Sequence, residues 1–162
     1  MQVQGVDDFY LKSENIELEK GRDFTKNEIE FGTNSIIIGA EIAKTLFDKL
    51  NPINKSIKLF GQNFKVIGVM AKKGSMMGGS GSDRLMLIPL NKARNIPIRS
   101  SYDYEIKVSL DDGNDVLPSI EKAYYTMKII RKDGIGNEDS FQIDKSDSLL
   151  KTIEETTSSI KM

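Results

Sequence analysis

An α+β fold is predicted by three features: short β-branched runs ended by glycine or proline, helical apolar spacing after Gly39 and after Asp115, and a glycine-rich loop between two apolar strands. With 162 residues, 38% of them hydrophobic, the chain can bury the core of one ordinary domain or two small ones.

Val3 to Val6 is strand-like. After a turn at Gly21-Arg22-Asp23, Thr25 and Glu28 stand at capping-box spacing, which predicts a short helical turn, while Arg22 reads as an isolated exposed cation. Ser35-Ile36-Ile37-Ile38, ended by Gly39, reads as a buried strand. A helix is expected over Ala40 to Leu50, because Ala43, Leu46, Phe47 and Leu50 share one helical face, and Asn51-Pro52 should stop it.

Ile57 and Leu59, then Phe64 and Val66, alternate as two half-buried strands around a tight turn at Gly61-Gln62-Asn63. Phe64 to Met70 reads as a central strand. Leu85 to Pro89 reads as another, ended by the proline that cannot donate to a ladder. Between them runs a polar, glycine-rich loop, Lys72 to Arg84. Asn95 to Ser101 reads as an irregular connection and a subdomain boundary, so the region before it should be mostly β with one helix.

Beyond the boundary, Tyr104, Ile106 and Val108 alternate with polar residues, as in a strand with one wet face. Asp111 to Asn114 should turn the chain. Val116, Leu117, Ile120, Tyr124 and Met127 mark a helix face, with Asn114 or Asp115 as cap and Pro118 tolerated in the first turn. Ser140 to Ile143 suggests a further strand. From Ser148 to Met162 the apolar spacing suggests a final amphipathic helix, capped by Asp147.

Composition narrows the chemistry. A net charge of −1 gives no bulk attraction to nucleic acid or an anionic membrane. The absence of His and Cys removes thiol nucleophiles, Ser-His relays and the usual zinc ligands, so no catalytic residue, cofactor or metal site is expected. No apolar run reaches the roughly 20 residues of a membrane span. The abrupt start and end suggest an excised piece of something larger.

Gly74 and Gly79 have the spacing of a phosphate-binding loop, but Ser80-Gly81 stands where that loop needs Lys and Ser or Thr, and a strand is expected next. Adjacent carboxylates at Asp7-Asp8, Asp111-Asp112, Glu138-Asp139 and Glu154-Glu155 read as solvated surface, because neighbouring side chains diverge. Glycines 113 and 136 fail as calcium-loop centres, since Val108 and Arg131 occupy ligand positions. In the glycine-rich loop, Met76-Met77 beside Gly78-Gly79 offers soft apolar surface, a candidate partner or substrate contact.

Several of these pieces occur in an order that resembles the extracytoplasmic core domain of MacB-type ABC-transporter permeases, a superfamily with the lipoprotein-release permeases and FtsX. They are Val3-Gln4-Gly5-Val6, Leu18 to Phe24, Ile37-Ile38-Gly39 through Phe47, Pro52 to Ile57, Phe64 to Val69, and the loop ending at Ile88-Pro89. Asn54 replaces the family's usual turn glycine, and asparagine also tolerates a left-handed backbone.

The resemblance implies a mainly β, sabre-like inserted subdomain over 1–100, the second half of an α/β porter-like subdomain over 101–145, and a helix over 146–162 leading towards a transmembrane segment. It also implies a non-catalytic domain on the periplasmic face of the bacterial inner membrane, passing ATP-driven movement to a substrate or partner in efflux or lipoprotein export. Implied partners are a second permease copy, a cytoplasmic ATPase domain or subunit, and a periplasmic adaptor or lipoprotein. The competing expectation is an independent extracellular binding or adhesion module.

Overall fold

Ile36, Ile37 and Ile38 have no exposed surface at all, on either face of the strand that carries them, β3 (Ser35–Ile38). A strand buried on both faces belongs inside a covered sheet. The computed structural model, which describes residues 2–72, 80–97, 103–110, 116–134 and 139–144, places it there.

The sheet has six strands: β1 (Gln2–Val6), β2 (Leu18–Gly21), β3, β4 (Ser56–Leu59), β5 (Gln62–Met70) and β6 (Leu85–Pro89). Their spatial order is β1-β6-β3-β5-β2, with β4 also paired to β5. β1 runs parallel to β6 and β3 parallel to β5, while the other pairs are antiparallel.

Alternation sends successive side chains to opposite faces, so each central strand feeds two cores. On one face Ile36, Ile38, Phe64, Val66, Met86 and Ile88 meet Ile42 of α3 (Ala40–Phe47) and Ala93 of α5 (Leu90–Arg94). On the other, Ile37, Ile67, Leu85 and Leu87 meet Leu11 of α1 (Tyr10–Ser13), Phe24, and Ile29 of α2 (Lys26–Phe31). Burying each such side chain contributes about 1.5–3 kcal/mol before chain entropy is subtracted. Ile67 falls on the second face by ordinary alternation from Val66, and a register shift opposite Ile36 and Ile37 then returns Val69 to the first.

This mixed α/β architecture agrees with the predicted class, but helix is more plentiful before residue 97 than the single predicted helix. α1, α2, α3, α4 (Ser80–Asp83) and α5 all fall there. Four of them are shorter than two turns, too short for helical periodicity to announce them. α2 is the exception, and its capping box forms as its sequence predicts: Thr25 Oγ1 accepts from the Glu28 amide at 3.3 Å, and Glu28 Oε2 accepts from the Thr25 amide at 2.9 Å.

α3 is shorter than expected and faces the core differently. It stops at Phe47, where Asp48 takes φ 49°, before Asn51-Pro52 is reached. Ile42, Ala43 and Phe47 face the sheet, whereas Leu46 and Leu50 are 50% and 70% exposed. The hairpin turn is also tighter than expected. Leu59 pairs with Gln62, leaving Phe60-Gly61 as a two-residue connection with φ of 50° and 77°, the positive values a type I′ turn requires, and Gln62 and Asn63 join β5. Asn54 adopts φ 67°, the left-handed conformation that its replacement of glycine demands.

The chain divides into two compact units, Met1–Lys107 and Val108–Met162. The predicted strand through Tyr104, Ile106 and Val108 does not form: residues 103–110 join no ladder, and the three side chains are 62%, 74% and 74% exposed. Alternation supplies a face, but a strand also needs an edge to pair with. Lys107 instead reaches Glu14 at 2.7 Å and lies over the Tyr10 ring, within the first unit.

In the second unit α6 (Val116–Arg131) forms as predicted, with Pro118 in its first turn. Val116, Ile120, Tyr124 and Met127 are half-buried, while Leu117 is exposed. Ser140 to Ile143 is irregular, not a strand. Side chains fasten it to α6 and the residues just after it: Phe141 packs on Tyr124 at 5.6 Å, and Asp133 Oδ2 accepts from the Ser140 amide and hydroxyl. The turn at 111–114, the caps Asn114 and Asp115, and the final helix from Ser148 lie outside the described residues.

Candidate functional site

The glycine-rich connection joins β5 to β6, two strands that both pair with β3 and run antiparallel to one another. The end of β5 and the start of β6 that it joins both lie beside the end of β3, where α3 begins. Met76, Met77, Gly78 and Gly79 lie outside the described residues, but both approaches are fixed. On one side Met70 is fully buried and pairs with Leu18, and the Ala71 amide donates to Glu17 O at 2.8 Å.

On the other side α4 ends at Asp83, which is 8% exposed and has a buried Oδ1 without a hydrogen-bond partner. Leu85 O then accepts from the Gly39 amide at 2.8 Å. Arg84 grips Glu41, in the first turn of α3, through Nε and Nη2 at 2.8 and 2.9 Å, and this pairing raises the guanidinium pKa and lowers that of the carboxyl.

The short helix α4, where the sequence predicted loop running directly into strand, reopens the comparison with a phosphate-binding loop. The chemistry still opposes it. The acidic side chains Glu41 and Asp83 stand beside the loop's landing point, and the neighbouring Arg84 is already held by Glu41 through two hydrogen bonds, where a phosphate site needs uncommitted cations and amide donors.

Other sequence candidates resolve into structural contacts. Asp7 Oδ1 accepts from the Phe9 amide at 3.0 Å, ahead of α1. Asp139 takes a hydrogen bond from Tyr124 and an ion pair from Lys128 at 3.0 Å. Asp111-Asp112, Glu138 and Glu154-Glu155 lie outside the described residues. Among the described residues no three His, Cys, Asp or Glu side chains gather in a metal-binding group. Arg22 is not isolated: it holds Glu28 bidentately at 2.7 and 2.9 Å. The six-residue spacing of opposite charges across a capping box was the signal for that pair.

The pair borders a cleft of about 410 Å³ in the first unit, lined by Gly21, Arg22, Ile53, Asn54, Lys65 and Ile67 among others. Sequence reading missed it, because its walls come from four separate stretches of chain. No described helix is long and apolar enough to cross a membrane.

The fold thus defines a mixed-sheet α/β domain carrying a glycine-rich insertion on two fixed strand ends. The chain belongs to the family of MacB-like periplasmic core domains, whose model matches residues 1–122. It is 32% identical over 143 residues to the macrolide export ATP-binding/permease protein MacB of Chlorobium phaeobacteroides, covering 88% of this chain and 21% of that protein. To the uncharacterized ABC transporter permease YknZ of Bacillus subtilis it is 28% identical over 141 residues, covering 87% of this chain and 34% of that protein. The chain thus spans about a third or less of these relatives.

In solved structures the fold resembles the periplasmic region of MacB from Actinobacillus actinomycetemcomitans, with a TM-score of 0.70 at 21% identity over 94% of this chain and 64% of that one. It also resembles the extracellular domain of YknZ from Gram-positive bacteria, with a TM-score of 0.64 at 19% identity over 88% of this chain and 69% of that one.

Proposed function

We propose that this chain is the extracytoplasmic domain of a MacB-type ABC-transporter permease, and that it passes ATP-driven transmembrane movement to a substrate or partner outside the membrane. The observation that carries the reading is the family match over residues 1–122. On this reading the domain has no catalysis of its own. ATP hydrolysis belongs to a cytoplasmic domain or subunit, the working assembly contains a second permease copy, and an adaptor or lipoprotein is the partner at the periplasmic face.

Residues 1–100 would form the inserted subdomain, 101–145 half of a porter-like subdomain, and 146–162 the lead towards the membrane. Relatives named for macrolide and pyoverdine export point to small-molecule efflux as the process served. The two fixed ends of the glycine-rich connection would let Met76, Met77, Gly78 and Gly79 present a contact surface without disturbing the sheet.

The test is made in the intact permease with its ATPase. Replacing Met76 and Met77 by serine should reduce transport while ATP hydrolysis persists, and unchanged transport removes the contact role. The 162-residue chain alone should bind no ATP, and stoichiometric binding overturns the non-catalytic reading.

A further inference from the structure

We propose that the cleft beside β5 is a binding site for small amphiphilic carboxylates. Three observations converge on it, all within the first unit, and none depends on the transporter reading. Its floor is apolar: Ile67 is 6% exposed, and half-buried Ile53 lies beside it. Its rim is polar, with Lys65, Asn54, Asn34 and Thr33 around the opening. A volume of about 410 Å³ is within the range of small-molecule sites, and here two isoleucines supply the apolar floor under a largely polar lining.

Close strand packing fixes this wall: Gly21 has φ 82° and pairs with Gly68, and a Cβ there would collide with Ile67 O and the Ile53 side chain, so only glycine fits.

Charge selects the ligand. Of the charged side chains lining the cleft, Arg22 and Glu28 neutralise one another through two hydrogen bonds, and Glu28 Oε2 is further engaged by Thr25. Lys65 is the remaining lining charge, an exposed ammonium at one edge of the cleft. A ligand with an apolar body over Ile53 and Ile67 can therefore set one carboxylate against Lys65, with the Asn54 side-chain amide as a further donor, while Asn34 Nδ2 already donates to Asn63 O at 3.1 Å. A dianion finds no second free cation in the lining. A cationic ligand meets Lys65 with like charge.

The experiment titrates the 162-residue chain with 1-naphthoate and, separately, with its neutral counterpart 1-naphthalenemethanol, following backbone amides by NMR. Naphthoate should shift the amides of Gly21, Asn54 and Lys65, and Lys65→Gln should weaken it at least fivefold. Lys58→Gln, on the neighbouring strand and outside the cleft, should leave the affinity unchanged. The neutral alcohol should bind more weakly and ignore Lys65→Gln. No saturable shifts at millimolar naphthoate, shifts centred elsewhere, equal binding of the alcohol, or less than a twofold loss in Lys65→Gln each overturns the proposal. Both substituted positions are exposed, so preserved amide dispersion should accompany every affinity that is read.

Discussion

Arg22 and Glu28 are joined by two parallel hydrogen bonds, Nη1 to Oε2 at 2.7 Å and Nη2 to Oε1 at 2.9 Å, and the same Oε2 accepts from the Thr25 amide at 2.9 Å. One carboxylate thus closes the capping box of α2 and ties that helix to the chain leaving β2. Bidentate geometry makes this pair stronger than an ordinary surface contact.

Stability should therefore depend on the charge of Glu28. Arg22 and then the Thr25 donors, acting against partial burial, hold its pKa down to about 2 from 4.5. A depressed carboxyl stabilises fully above its unfolded pKa, and that contribution is lost as pH falls through the folded one. After discounting for the exposure of Arg22, Glu28→Gln should cost about 1 kcal/mol at neutral pH. In urea titrations the gap between wild type and variant should narrow as pH falls from about 4.5 towards 3. A gap independent of pH would remove the charge from the explanation.

Arg84 and Glu41 make a pair of similar geometry but stand open to solvent, with side chains 67% and 48% exposed. Screening and side-chain entropy offset such a pair. Arg84→Ala should leave the urea midpoint of the chain unchanged. A drop comparable to that of Glu28→Gln would show that Arg84 braces the end of the glycine-rich connection.

Phe60 occupies the first central position of the β4–β5 turn at φ 50°, with 51% of its surface exposed. A bulky side chain gains little burial there and bears a left-handed backbone that asparagine adopts more readily. Phe60→Asn should raise stability by about 0.5–1 kcal/mol, read as a higher urea midpoint with the same slope. A lower midpoint would mean that Phe60 contributes packing beyond the turn.

Elements specified by local chemistry were legible from the residues alone. Three consecutive isoleucines before Gly39 announced a buried strand, and Thr25 with Glu28 announced α2, whereas only the family resemblance announced the left-handed turn at Asn54. Features set by distant partners were not. Tyr104, Ile106 and Val108 alternate as a strand should, yet no described strand pairs with them. Arg22 looked isolated because its partner lies across a turn, and the cleft is assembled from stretches up to 46 positions apart, from Gly21 to Ile67. The candidate contact at Met76 and Met77 rests on residue chemistry, and the structure contributes the fixed ends on either side.

The helix face of α3 gives the sharpest contrast between pattern and packing. Spacing placed Leu46 and Leu50 in the core, whereas the sheet receives Ile42, which is 6% exposed. Ile42→Ala should therefore leave a cavity against Ile38 and its neighbours and cost about 2–4 kcal/mol. Leu46→Ala and Leu50→Ala should each change stability by no more than about 0.5 kcal/mol, as solvent-facing positions do. Urea unfolding of the three variants decides between the two faces: large losses at Leu46 and Leu50 with little at Ile42 would restore the face read from spacing.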